Sequence, residues 1–330
     1  MDTSATWPKD AVAQTKRKPK AHSTTAAATL FHHEWMLEAA SLGRWEQVEV
    51  VQDGVVVARL PYLLSRKFGV RTIGMPYYTR VLGPVLTLPP SKPSRRIENA
   101  TKLIGQLFAA LPQHDRFHQS MPVSDQHTVA FALNNLTVES DFTFVITPDR
   151  PPESVLADMK GTQKRNIVTT FDRLNVREHR DLDQFIALAH DQVAAQQVQS
   201  RFRFDEIAAI FSAALKHKCV TILSAYDAND QNMGTTIVLH DQSVAYFWLT
   251  ARRPVEGNRA YSRLVWEAFQ FAHRHGLIFD IDGSYNSNSA RYIAEFGGTP
   301  AARHVIRRQN LWFQTLDLTR KISRAVTERR

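Results

Sequence analysis

The stretch His275-Gly276-Leu277-Ile278-Phe279-Asp280-Ile281-Asp282-Gly283-Ser284, followed by Phe296-Gly297-Gly298, decides the reading of this chain. Residues 277–282 predict a strand. Strand alternation puts Leu277, Phe279 and Ile281 on one face and Ile278, Asp280 and Asp282 on the other. Two carboxylates then share a face at the strand's carboxyl end, which is where ligands bind in open α/β sheets. One of them suits proton acceptance from an attacking amine, and the other suits pairing with a cation or with the turn. The plainer alternative is that Asp282 caps the Gly283-Ser284 turn while Asp280 pairs with an arginine.

Working outward, Tyr261 to His275 reads as a helix, with Leu264, Val265, Ala268, Phe269 and Ala272 on one face. An irregular basic segment, 252–260, precedes it. Before that come three strands, VTILSAYD, MGTTIVLH and SVAYFWLTA, and two helices, 181–199 and 205–216. A helix over 287–296 and a strand over 303–317 close the chain. The first half opens with a helix over 30–41. A hairpin follows, with Asp53-Gly54 between β-branched runs. A Gly/Pro-rich stretch, 69–93, leads to a helix over 94–111, a strand over 116–119, a helix over 124–133 and a strand over 142–147. Pro151-Pro152 opens a linking helix over 153–174, because proline is tolerated in a first turn.

Both halves share the order hairpin, helix, strand, helix, strand, which predicts an internal structural duplication; the alternative is coincidence among ordinary elements. The expected class is α/β of the α+β type. The expected organisation is a disordered basic tail over 1–25, one lobe over 26–150 and a second over 151–330.

Composition bounds the function. The chain has 330 residues, a net charge of +9 and a single cysteine, Cys219, so no disulfide forms within it. That usage fits a reducing, cytoplasmic setting. No apolar run reaches the roughly 18 residues that span a bilayer. Excess positive charge attracts polyanions, here tRNA, nucleotide diphosphates or anionic lipid headgroups. Lys16, Arg17, Lys18 and Lys20 make the tail a candidate peripheral contact with anionic membrane. His32-His33 and His273-x-His275 have no third ligand at metal spacing, so no metal is expected. There is no GxSxG motif, P-loop or strand-bound GxGxxG.

The run Phe279-Asp280-Ile281-Asp282-Gly283-Ser284 with Phe296-Gly297-Gly298 resembles the carboxyl-terminal signature of the Fem-like branch of GNAT acyltransferases. That signature is usually Phe-Asp-Phe-Glu-Gly-Ser and later Phe-Gly-Ala; here Asp282 stands for the Glu and Gly298 for the Ala. Arg59-Leu60-Pro61, Gly83-Pro84, Lys164-Arg165-Asn166-Ile167, Ala245-Tyr246-Phe247 and Trp266-Glu267-Ala268 fit in the same order. The resemblance implies two GNAT-like lobes, each a mixed, mostly antiparallel sheet flanked by helices, with one working site.

It implies an acyl or aminoacyl transfer to an amine, with Asp280 and Asp282 as the catalytic residues. The splayed strand would be SVAYFWLTA. The donor phosphates would meet Arg252, Arg253, Gly257, Asn258, Ala260 and Ser262, although the Arg253–Gly257–Ala260 spacing departs from the GNAT pattern, and a solvated basic loop is the alternative. Substrate contacts would come from Tyr77, Tyr78, Lys164, Arg165, Tyr246, Trp248 and Ser284. No tightly bound cofactor is implied. Acyl-coenzyme A is the favoured co-substrate and aminoacyl-tRNA the second. The acceptor would be an amine on a small molecule, a sugar or a cell-envelope precursor. The competing reading is a non-catalytic binding protein on a degenerate GNAT scaffold.

Overall fold

The computed structural model describes residues 12–16, 29–196, 202–253, 257–282, 287–310 and 312–313. The chain forms two units, one of residues 1–140 with 303–330 and one of residues 141–302.

In the first unit the elements run β1 (Val12–Lys16), a 3-10 turn (Leu30–His32), α1 (Glu34–Ser41), β2 (Trp45–Gln52), β3 (Val55–Lys67), β4 (Val70–Gly74), β5 (Val85–Leu86), α2 (Pro93–Ala110), β6 (Arg116–Ser120) and α3 (Thr128–Leu133). In the second they run β7 (Thr137–Ile146), α4 (Pro152–Asp158), α5 (Gly161–Thr170), β8 (Asn175–His179), α6 (Leu182–Gln196), α7 (Phe204–Lys216), β9 (Val220–Tyr226), β10 (Asn232–His240), β11 (Val244–Arg252), α8 (Gly257–Arg274), β12 (Ile278–Asp282) and α9 (Ser287–Ala294). The last strand, β13 (Thr299–Gln309), returns the chain to the first unit, where residues 305–309 pair antiparallel with β6.

The strands of the two units follow one plan. The first unit runs β1-β2-β3-β4-β6-β13, and the second runs β8-β9-β10-β11-β12-β7. In each, four antiparallel strands are followed by a short parallel pair, β4 with β6 and β11 with β12, and then by a further antiparallel strand. That further strand comes in each case from the other half of the chain. The duplication expected from element order is therefore present as topology.

Four expectations change. Residues 12–16 are not tail: they pair with β2 from Val12↔Val51 to Lys16↔Gln47, covering what would be an open strand edge. The rest of the 1–25 segment lies outside the described residues. The linking helix is two helices, because Met159 is extended (ψ 146°) and Gly161 begins a new turn. The strand β8, which was not expected, follows directly after residue 174. The boundary between units also falls at Asp141, and residues 303–309 belong to the first unit, because their ladder partner is β6.

The cores follow from the amphipathic helices. In the first unit Leu103, Ile104, Leu107 and Phe108 of α2 pack on Val48, Leu60, Tyr62 and Phe117 of the sheet. In the second, Leu264, Val265, Ala268 and Phe269 of α8 pack on Phe247, Phe279 and Ile281. Burying such side chains contributes about 1.5–3 kcal/mol each.

Phe296-Gly297-Gly298 has a packing role. Gly297 has φ 74°, and a Cβ there would meet the Val155 carbonyl oxygen at 2.9 Å. Its own carbonyl accepts from Arg150 Nη1 at 2.7 Å. Gly297→Ala is expected to lower stability by about 2–4 kcal/mol, from left-handed strain plus overpacking. Gly276, also at positive φ but with open space around its Cβ position, supplies the control. Gly276→Ala should cost only the strain, about 1–2 kcal/mol. Equal losses of melting temperature in the two variants would refute the close-packing account.

Candidate functional site: the fork between two parallel strands

In the second unit β11 and β12 run parallel but pair only over Val244↔Ile278, Ala245↔Phe279 and Tyr246↔Asp280. Beyond Tyr246, β11 stays paired with β10 and parts from β12. The β10 ladder steps from Ile237↔Leu249 to Val238↔Phe247, so Trp248 is the extra residue of a β-bulge. Bulges bend a strand and raise its twist, which turns β11 away from β12.

Asp280 sits where the strands part. It is buried, and its Oδ1 accepts from Thr143 Oγ1 at 2.6 Å and from the Asp282 backbone N–H at 2.8 Å. Two donors on one oxygen fix the carboxyl group in place, and charge-assisted bonds of this kind are short and strong. Asp282 is also buried. Strict alternation would put the two aspartates on one face. Instead the β7 ladder slips by one residue between Asp280 and Asp282, and Asp282 has φ 74°. The structure thus corrects the simple alternation: Asp282 ends β12 in a left-handed conformation, and its N–H returns to Asp280.

The space beside the fork is filled by aromatic rings. Tyr261 of α8 packs edge-on against Phe247, tilts against Tyr292 and lies 6.0 Å from the Phe296 ring. The Arg252 guanidinium lies 5.3 Å from the Tyr261 ring centre. Behind this cluster, Ser262 Oγ donates to Gln163 Oε1 at 2.7 Å, and Gln163 Nε2 donates to Glu295 Oε2 at 2.8 Å. Lys160 Nζ completes the chain at 2.5 Å from Glu295 Oε1. The Gln163 amide and the Lys160 ammonium hold the Glu295 carboxyl below its ordinary range. Burial pushes the Tyr292 phenol up.

The first unit has a fork of the same design, where β4 and β6 pair only at Thr72↔Arg116 and Ile73↔Phe117. It is closed by its own chain. The fully buried Gln119 amide donates to the Pro61 and Gly74 carbonyls at 2.9 and 3.3 Å, and Leu82 N–H donates to Ser120 O at 2.8 Å.

No family model and no curated protein matches the sequence. Solved structures do match it. FemX is similar over 86% of this chain and 93% of its own, at 11% identity and a TM-score of 0.62. The chain has the fold of FemX. L-PGS from Bacillus licheniformis is similar over 89% of this chain and 92% of its own, at 9% identity and a TM-score of 0.54. The C-terminal DUF2156 domain of an Agrobacterium fabrum protein gives 87% and 90% coverage, 12% identity and a TM-score of 0.57. Identities this low show the fold alone. Among the described residues no helix is long and apolar enough to cross a membrane.

On this fold the expected donor-binding residues divide. The helix α8 begins at Gly257, four residues earlier than expected, so Gly257, Asn258 and Ala260 lie in its first turn rather than in a loop. Its first turn offers backbone N–H groups with no helical acceptor. Ala260 and Ser262 are fully buried, and Ser262 is spent on Gln163, so neither side chain faces a donor. Arg252 N–H donates to Gln192 Oε1 at 2.9 Å. Arg253 Nε donates to Asn232 O at 2.9 Å, which ties this arginine to the end of β10.

Among the expected substrate contacts, Tyr246 and Trp248 are buried at the fork and its bulge. Lys164 and Arg165 are exposed on α5. Tyr77 and Tyr78 pack edge to face at 5.0 Å in the first unit. Tyr77, with Thr72, Met75, Thr79, Arg116 and His118, lines a pocket of about 400 Å³ there. Ser284 lies outside the described residues. Sequence reasoning missed Thr143, Gln163 and Gln192. Thr143 had a signal, a hydroxyl between Phe142 and Phe144 in an apolar strand; the two glutamines, on helices, had none.

Proposed function

We propose that the chain transfers an acyl or aminoacyl group from an activated donor to an amine, with the chemistry at the β11–β12 fork. The observation that carries this reading is the buried carboxylate of Asp280, held by two donors at the point where two parallel strands separate on a GNAT fold. The equivalent fork in the first unit is closed by Gln119, which favours a single site.

In the reaction the amine nitrogen attacks the donor carbonyl carbon. A C–N bond forms, the C–S bond of a thioester or the C–O bond of an ester breaks, and the leaving sulfur or oxygen takes up a proton. The attacking nitrogen loses its proton to Asp280 or Asp282, directly or through a water molecule. Backbone N–H groups on β11 beyond Tyr246 suit the developing oxyanion. Alignment of amine and carbonyl supplies much of the rate. Acyl-coenzyme A is favoured over aminoacyl-tRNA as donor, with Arg252, Arg253 and the first turn of α8 nearest the phosphates. Anions are favoured at such a helix start. Lys164 and Arg165 suit an anionic portion of the donor or of an acceptor from a small molecule or the cell envelope.

The test is incubation with a panel of acyl-coenzyme A species, and separately with charged tRNA, in the presence of cell extract. Mass spectrometry should find amine-containing metabolites gaining one acyl group. Thermal stabilisation by coenzyme A or tRNA with no acylated product in any arm would instead support a binding protein on this scaffold.

A further inference from the structure

A groove of about 340 Å³ opens in the second unit between the end of α5 and α8, lined by Phe171, Arg173, Asn175, Tyr226, Arg263 and Glu267 among others. It shares no residue with the fork. Its volume is within the range of about 300–1,000 Å³ that holds small molecules.

Arg263 is the unusual wall. Its side chain is only 10% exposed. Nε donates to Glu267 Oε1 at 2.9 Å, and the guanidinium carbon lies 4.3 Å from the Phe171 ring centre. Nη1 is buried and has no hydrogen-bond partner among the described residues. A buried charged donor without an acceptor is costly, and native proteins rarely leave one so. With the guanidinium plane fixed by Phe171 and Glu267, the remaining edge is a preorganised fork for two oxygens.

The other groups at the groove are already committed. Arg177 stacks on Tyr226 at 4.5 Å and pairs with Asp230 at 2.6 Å. Asp227 Oδ1 accepts the backbone N–H groups of Asn229 and Gln231. Arg173 is exposed at the rim, as is Asp172. With Asp172, Asp227 and Glu267 against Arg173 and Arg263 in its lining, the groove selects by directed bonds rather than by a positive field.

We propose that this groove is an oxyanion site built on Arg263, taking a small molecule through a phosphate or a carboxylate group. The test is calorimetric titration of the full-length chain with inorganic phosphate and, separately, with glutarate, at matched ionic strength. At least one should bind once per chain, and which one does so identifies the anion. Arg263→Lys keeps the charge and removes the fork, and should weaken binding roughly tenfold or more. Arg173→Gln, an exposed change that spares the core, should weaken it about threefold. Lys216→Gln, on the exposed side of α7, should leave it unchanged. If Arg263→Lys does not fold, Arg173→Gln decides alone. Absence of binding by both probes, or affinities within twofold of the parent in both arginine variants, overturns the proposal.

Discussion

Asp280→Asn lowers kcat/KM for amine acylation by about 10²–10⁴-fold, the usual contribution of a positioned acid–base group. The exchange is nearly isosteric, and the amide oxygen still accepts from Thr143 and from Asp282 N–H, so the fold should persist. What disappears is the negative charge at the parting of β11 and β12. Asp282→Asn is the companion measurement. If Asp282 only shapes the turn, its variant keeps most of the turnover. If it takes the proton through water, the two losses are similar and the double variant is little worse than either single one, because residues acting as a unit are not additive. Turnover close to the parent in both single variants and the double variant would remove the carboxylates from the mechanism.

The second large effect is on acid stability and belongs to His32. This side chain is buried in the 3-10 turn, its Nδ1 2.9 Å from Thr29 Oγ1, while Arg59 Nη2 donates to its carbonyl at 3.2 Å. Burial, and then the charge of Arg59, push its pKa down to about 3 from 6.5. The unfolded chain therefore takes up a proton near pH 6.5 that the folded chain refuses until near pH 3. Its contribution to stability is full above pH 6.5 and is lost as pH falls toward 3, on the order of 5 kcal/mol in all. Denaturant melts between pH 7.5 and 4 should show a steeper loss in the parent chain than in His32→Gln. Parallel curves would refute this account.

How much of this is legible in the sequence depends on the range of the determinants. Helices α2, α7 and α8 and the β9–β11 meander follow from local periodicity, and the β2–β3 hairpin follows from Asp53-Gly54. The duplicated order was visible because it needs only element types. The exchange of β7 and β13 was not, because nothing local to either strand says which neighbours it will join. The early start of α8 was hidden because Gly257 and Asn258 are poor helix formers. At the candidate site, Asp280 stands out in the sequence through its pattern and family resemblance. Its partners were not: Thr143 lies 137 positions away in sequence, and Ser262 reads as a phosphate contact until Gln163 is seen beside it.

The return of residues 303–309 to the first unit has a consequence for synthesis. A ribosome delivers the whole of 141–302 before it delivers the part of β13 that pairs with β6, so the second unit has all its residues while the first still lacks a strand partner. During that interval the open side of β6 is a bare ladder edge, and such edges invite pairing with other chains. A chain stopped just after residue 302 would carry that edge permanently.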